Sequence, residues 1–281
     1  MSTFTEPFSA SSGDPFWVGL VDDAATFPPG DAPLDAALTA YADRAGPAAR
    51  LVRSLVVRDT DLPQVPAGTP VSVVLTGGAG QVHGPAQLCQ RRDLPLAGLE
   101  IALRDVDDPA GNARRVVAAV DAARGEGVLD EDTPVFVELP AVDPAYSWLA
   151  AADEVAAAEL RLKLRTGGLD PDAFPTPEGL AAWIDAALDR ELPFKCTAGL
   201  HRALPHVDAD GCAHHGFLTL LAATRVAFDG GSPDDVVSTL RRDDPTDLLT
   251  LDLAGARRWF TSFGSCSIDE PLADLRELVS L

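Results

Sequence analysis

Short apolar runs alternate along this chain with stretches whose apolar residues recur at helical spacing. The runs lie at 16–21, 51–57, 71–75, 96–103, 134–139, 160–164, 194–198 and 259–263. They are rich in Val, Leu, Ile and Phe with little polar alternation, the pattern of strands buried on both faces. Helical spacing fills 34–45, 85–92, 112–124, 145–158, 176–190, 217–228, 232–242 and 270–281. Thr176 offers an N-cap, with Pro177 at the first helical position. Strands alternating with helices predict parallel strands joined by right-handed crossovers. Eight such units in 281 residues predict a closed (β/α)8 barrel. An open doubly wound sheet is the alternative, but no GxGxxG opens a helix and no P-loop is present. No linker-like composition shift divides the chain, so 1–281 is expected to form one barrel domain, with 1–14 as a loose arm.

Strand alternation then sorts side chains between the barrel interior and the helices. With Leu162 and Leu164 toward the helices, Arg161, Lys163 and Arg165 face inward. The same rule turns Lys195 and Thr197 inward in the seventh run, Phe136 and Glu138 in the fifth, and Glu100 and Ala102 in the fourth. Glu100, Glu138, Lys163, Arg165 and Lys195 are thereby predicted to share one interior. Several lie near the C-terminal strand ends, where barrels of this kind carry their sites.

Composition sharpens the lysines. The chain has two lysines, Lys163 and Lys195, against 20 arginines. Surface charge is left to Arg, Asp and Glu, so lysines kept on strands are not there for solubility. An ammonium that loses its proton performs proton transfer and Schiff-base chemistry, which a guanidinium does not. Two lysines on neighbouring strands are expected to lower the pKa of at least one of them, through like charge and burial. Glu100 or Glu138 would move protons. The alternative is a buried, balanced ion-pair network with no chemistry.

The segments 161–168 (Arg-Leu-Lys-Leu-Arg-Thr-Gly-Gly) and 194–201 (Phe-Lys-Cys-Thr-Ala-Gly-Leu-His) each read as a strand running into a glycine turn. Together with Phe-Gly-Ser-Cys-Ser at 263–267, they resemble class I aldolases of the deoxyribose-phosphate aldolase type, over roughly 158–281. That resemblance implies Lys163 as the Schiff-base lysine and Lys195 as the neighbour that tunes it, with an acidic partner near Glu100. It also implies a site needing no cofactor, and a phosphate-binding turn at Gly264 and Ser265. Arg165, Thr166, Gly167, Thr197, Gly199 and His201 complete the candidate substrate contacts. The expected activity is a lysine-dependent aldolase or lyase acting on a small anionic carbonyl compound.

Four of the five histidines, His201, His206, His214 and His215, fall within fifteen residues after the seventh strand, among Asp208, Asp210 and Cys212. This loop is expected to overhang the strand ends. Its spacing matches no strong ligand motif, so no residue is assigned as a metal ligand. A metal-dependent hydrolase using 201–215 is a second functional reading; a non-catalytic ligand-binding barrel is a third. Asp22 and Asp23 end the first run, either as acids of the active face or as loop and cap residues. Cys196 is expected in the core, because spacing places no histidine beside it.

A formal net charge of −21 argues against nucleic acid or an anionic membrane surface as partner and leaves a small-molecule substrate. No oligomeric state follows from the sequence. No run approaches the ~20 apolar residues of a spanning helix. The start lacks a basic segment followed by an apolar one. The four scattered cysteines form no CxxC. A reducing, cytoplasmic setting is the expectation.

Overall fold

Parallel strands and their crossover helices close into an eight-stranded barrel in the computed structural model, which describes residues 15–208 and 211–279. The expected arm at 1–14 and Asp210 lie outside the described residues. The barrel strands are β1 (Val21–Asp23), β2 (Val52–Arg58), β3 (Val71–Val74), β4 (Leu96–Ala102), β5 (Val135–Glu138), β6 (Arg161–Arg165), β7 (Phe194–Thr197) and β10 (Phe260–Ser265). They run in chain order around the wall, and β1 closes it by pairing in parallel with both β2 and β10. A small antiparallel hairpin, β8 (His206–Val207) with β9 (Ala213–His214), stands outside the barrel.

The helices are α1 (Leu34–Ala42), α2 (Gly46–Leu51), α3 (His83–Arg92), α4 (Pro109–Gly125), α5 (Tyr146–Ala157), α6 (Pro177–Leu188), α7 (Phe217–Phe228), α8 (Pro233–Leu240), α9 (Pro245–Leu248) and α10 (Asp269–Val279). Four of them begin with a side-chain cap followed by proline. Asp108, Thr176, Ser232 and Asp244 each accept a hydrogen bond from a first-turn N–H. Proline there gives up an N–H that the helix leaves unpaired anyway, and its φ is already helical.

The apolar core lies between sheet and helices. Leu55, Val57, Val73, Leu99, Ile101, Val137 and Leu162 are fully buried and alternate along their strands with the inward residues. The interior is polar instead, with Asp22, Ser54, Ser72, Glu100, Lys163, Lys195 and Ser262 all buried. Phe136 floors it, with Arg53 and Arg161 lying 6.0 and 5.8 Å from its ring centre. A polar interior is tolerated because its groups pair with one another.

Two expectations need correction. The first run does not form a strand over 16–21. Pro15–Trp17 is a short 3-10 turn and the strand is Val21–Asp23. Phe16 and Trp17 are buried there by packing edge to face, with ring centres 4.5 Å apart. The loop over 201–215 also contains the hairpin β8–β9, whose two-residue strands are too short to give a periodic signal.

Candidate active site

Register places the two lysines side by side. Lys163 on β6 is the direct partner of Lys195 on β7, and Glu138 on β5 is the partner of Lys163. Glu100 reaches them from β4. Its Oε2 lies 2.7 Å from Lys163 Nζ, and its Oε1 accepts from Lys195 Nζ at 2.7 Å. Lys163 also meets Glu138 Oε2 at 3.0 Å, and Arg165 Nε donates to Glu138 Oε1 at 2.7 Å. At the other end Lys195 donates to Asp22 Oδ2 at 2.6 Å. Six charges thus alternate in sign along one chain: Arg165, Glu138, Lys163, Glu100, Lys195, Asp22. Ser262 and Ser54 donate to Asp22 at 2.8 Å each, and the Ser54 and Ser72 hydroxyls lie 2.7 Å apart. Small hydroxyls on β2, β3 and β10 therefore leave room for a carboxylate and solvate it.

For Lys163 this alternation gives the opposite of the expected lowering. Burial does press Lys163 downward, but Glu100 and Glu138 outweigh it and hold its pKa above the usual value. The like charge of Lys195 is offset by the carboxylate standing between the two ammoniums. Burial works to raise Glu100 as well, yet the two lysines prevail and keep its pKa down at about 2. Glu138 is also lowered, with Lys163 and Arg165 overcoming its burial.

Above the network lies a cavity of about 400 Å³. Of the candidate residues, Glu100, Glu138, Lys163, Arg165, Lys195, Thr197, Gly199, His201 and Gly264 line it, joined by Arg104, Phe27 and Cys266. Thr166, Gly167 and Ser265 hold its turns in place. The Thr166 hydroxyl donates to the Ala198 carbonyl at 2.6 Å, Gly167 packs on Gly199, and the Ser265 hydroxyl donates to the Ser267 carbonyl at 2.6 Å. Ala198 and Gly199 both have positive φ, 63° and 75°. A left-handed non-glycine residue is strained by about 1–3 kcal/mol, a cost met here beside the cavity. Glycine is required at 199, because a Cβ there would fall 2.8 Å from the Thr166 carbonyl oxygen.

Two features were not legible in the sequence. From sequence, Asp22 reads as an acid of the active face or as a loop and cap residue, since nothing local links it to a lysine 173 residues away. His201 does join the site, but it stands against Cys266: its Nε2 is 3.8 Å from Cys266 Sγ, and its Nδ1 is 3.1 Å from Glu270 Oε2. Burial raises the Cys266 thiol pKa, so the contact does not by itself activate the sulfur. Cys196 is buried in the core as expected, and burial pushes its pKa well up.

A solved structure shares this architecture. The fold is similar to that of deoxyribose phosphate aldolase from Aeropyrum pernix. The superposition covers 95% of this chain and 94% of that one, with a TM-score of 0.54 and 15% identity. At that identity the likeness is one of fold. No protein-family model and no curated protein sequence matches the chain. Among the described residues, no helix is long and apolar enough to cross a membrane.

Proposed function

We propose that the protein is a lysine-dependent, Schiff-base-forming aldolase or lyase that acts on a small anionic carbonyl compound, with Lys163 as the nucleophile. The observation that carries this is the placing of Lys163 between two carboxylates at the floor of the cavity, in register with the second lysine. Lys195 is the more deeply enclosed of the two, its side chain 1% exposed against 6% for Lys163. Arg165 and Arg104 in the cavity wall suit an anionic substituent.

The resting ammonium must lose a proton before it attacks. An anionic group binding Arg165 draws that guanidinium away from Glu138. Glu138 then loses one of the two cations that keep it ionised, and it becomes able to take the proton from Lys163. The free amine adds to the carbonyl carbon. Glu138 relays the two protons that the nitrogen sheds to the carbonyl oxygen, which leaves as water. The iminium then accepts the electron pair of the Cα–Cβ bond, while the β-hydroxyl gives its proton to Glu138 and the Cβ fragment departs as an aldehyde. The enamine is reprotonated at Cα, and water hydrolyses the iminium to release the second carbonyl product and restore Lys163. Lys195, hydrogen-bonded to Glu100 and Asp22, supplies a fixed positive charge beside the reacting nitrogen.

A second reading, a ligand-binding barrel without chemistry, is supported by the raised pKa of Lys163 and by its two carboxylate partners. One experiment separates the two. The protein is incubated with a panel of phosphorylated and carboxylated aldehydes and ketones, reduced with borohydride, and measured by intact mass and peptide mapping. The catalytic reading expects a reduced adduct on Lys163 that is absent from Lys163→Arg, which keeps the charge. Saturable binding of a panel member with no adduct would leave the binding barrel.

A further inference from the structure

We propose that His206, Asp208 and His214, gathered on the hairpin β8–β9 beside the barrel mouth, bind a divalent transition metal ion of the zinc class. The site is separate from the lysine network and does not depend on the aldolase reading. Its three donor atoms lie within 4.8 Å of one another. His206 Nε2 is 3.4 Å from Asp208 Oδ1, and His214 Nε2 is 3.0 Å from Asp208 Oδ2. Tetrahedral zinc with bonds of about 2.0–2.1 Å sets its ligand atoms about 3.3–3.4 Å apart, so each histidine already stands near that spacing from one Asp208 oxygen, and side-chain adjustment within the 4.8 Å spread closes the set.

The tautomers point the same way. His214 Nδ1 faces the Gly199 carbonyl at 3.1 Å, and His206 Nδ1 faces the Leu204 carbonyl at 3.4 Å. A ring nitrogen facing a carbonyl oxygen carries the hydrogen, so in each neutral imidazole Nε2 is left as a lone pair. Backbone carbonyls holding the far nitrogen are the usual support of metal-bound histidine. Both Nε2 lone pairs then confront the Asp208 carboxylate, acceptor against acceptor. His214 is more than nine-tenths buried, its side chain 8% exposed, and among the described residues its Nε2 makes no hydrogen bond despite the nearby carboxylate. A cation among the three atoms turns that repulsion into coordinate bonds.

The two imidazoles stack with centroids 4.9 Å apart and planes 24° from parallel, so the rings are held together as a pair. Phe174 packs edge-on against His214 at 4.6 Å and fixes its plane. Two imidazoles and a carboxylate suit zinc and its first-row neighbours better than calcium or magnesium. The donors border a cavity of about 730 Å³ that also touches Gly199, His201 and Glu270. Three protein ligands leave a coordination position for water or for an oxygen of a bound anion.

The test uses the full-length protein, stripped with a chelator and dialysed. Zn²⁺ is added in a calorimetric titration, and Co²⁺ in a separate titration followed by visible absorption. The wild type is expected to take up one equivalent of each, with Co²⁺ giving the d–d bands of a low-coordinate nitrogen–oxygen site. Asp208→Asn and His206→Ala alter partly exposed side chains, so the fold is kept. Each is expected to weaken Zn²⁺ binding by about 100-fold or more, beyond what loss of a supporting group costs. His83→Ala removes a histidine paired with Glu126 on another face and is expected to change nothing. Zn²⁺ should also raise the melting temperature of the wild type and not of Asp208→Asn. Absence of stoichiometric uptake by the wild type would overturn the proposal and leave an ordinary His–Asp ion pair. So would uptake undiminished in both variants, which would place the ion elsewhere. Borohydride trapping on Lys163 in the presence of chelator tests the aldolase reading apart from this one.

Discussion

Replacing Glu100 with glutamine removes the one negative charge shared by both lysines while nearly preserving side-chain shape. The alternating chain of three acids and three bases becomes two acids and three bases. Lys163 loses a carboxylate oxygen at 2.7 Å and keeps Glu138 at 3.0 Å, which it already shares with Arg165. The glutamine amide accepts from one ammonium but points its NH₂ at the other, donor against donor. Breaking a buried ion pair from one side costs about 3–5 kcal/mol. Loss of an adjacent opposite charge lowers an ammonium pKa by about one to three pH units. The pKa of Lys163, raised in the wild type, should therefore fall by that amount in Glu100→Gln. The chain makes the measurement direct. With two lysines in the whole sequence, selective ¹³Cε-lysine labelling gives two side-chain signals, and Lys163→Arg assigns them. Their shifts are followed against pH in both proteins, alongside urea unfolding. Identical titration of the Lys163 signal in wild type and variant would refute the view that Glu100 holds that ammonium. So would a stability change below about 1 kcal/mol, well under the cost of opening a buried pair.

Acid should act through the same carboxylate. The Glu100 pKa is lowered from 4.5 to about 2, so its contribution is fully present above pH 4.5 and is lost as pH falls toward 2. At 1.36 kcal/mol per pH unit this amounts to about 3 kcal/mol. Urea midpoints between pH 6 and pH 2.5 should show a steeper acid loss in the wild type than in Glu100→Gln, and equal slopes would contradict the assignment. Gly216→Ala probes how the 201–215 segment seats on α7. A Cβ at 216 would fall 2.2 Å from the Ala203 carbonyl oxygen and 2.5 Å from Leu204 Cα, both backbone atoms. The main chain must move, at a cost of about 1–3 kcal/mol typical of overpacking, and an unchanged thermal midpoint would show that the segment yields freely.

The period of apolar residues settled the barrel and the direction of its side chains. Strand alternation is a local property, and burial on both faces leaves one phase per strand that keeps Leu162, Leu99 and Val137 against the helices. That was enough to turn Glu100, Glu138, Lys163, Arg165 and Lys195 into one interior, as the register confirms. Caps were equally legible: Thr176 before Pro177 states its helix start in two residues. What the pattern could not show was how the ring closes. Asp22 reaches Lys195 only because β1 seals against β10, and that contact joins residues 173 apart. Nor could it give the sign of the lysine shift. Two neighbouring ammoniums alone depress each other, whereas a carboxylate placed between them reverses the outcome, and its placement depends on how far Glu100 extends from β4 past Phe136. His201 beside Cys266 and the meeting of His206, Asp208 and His214 follow from the same cause. Spacing along a chain orders residues on one strand or helix, but distances between loops are set by the barrel that carries them.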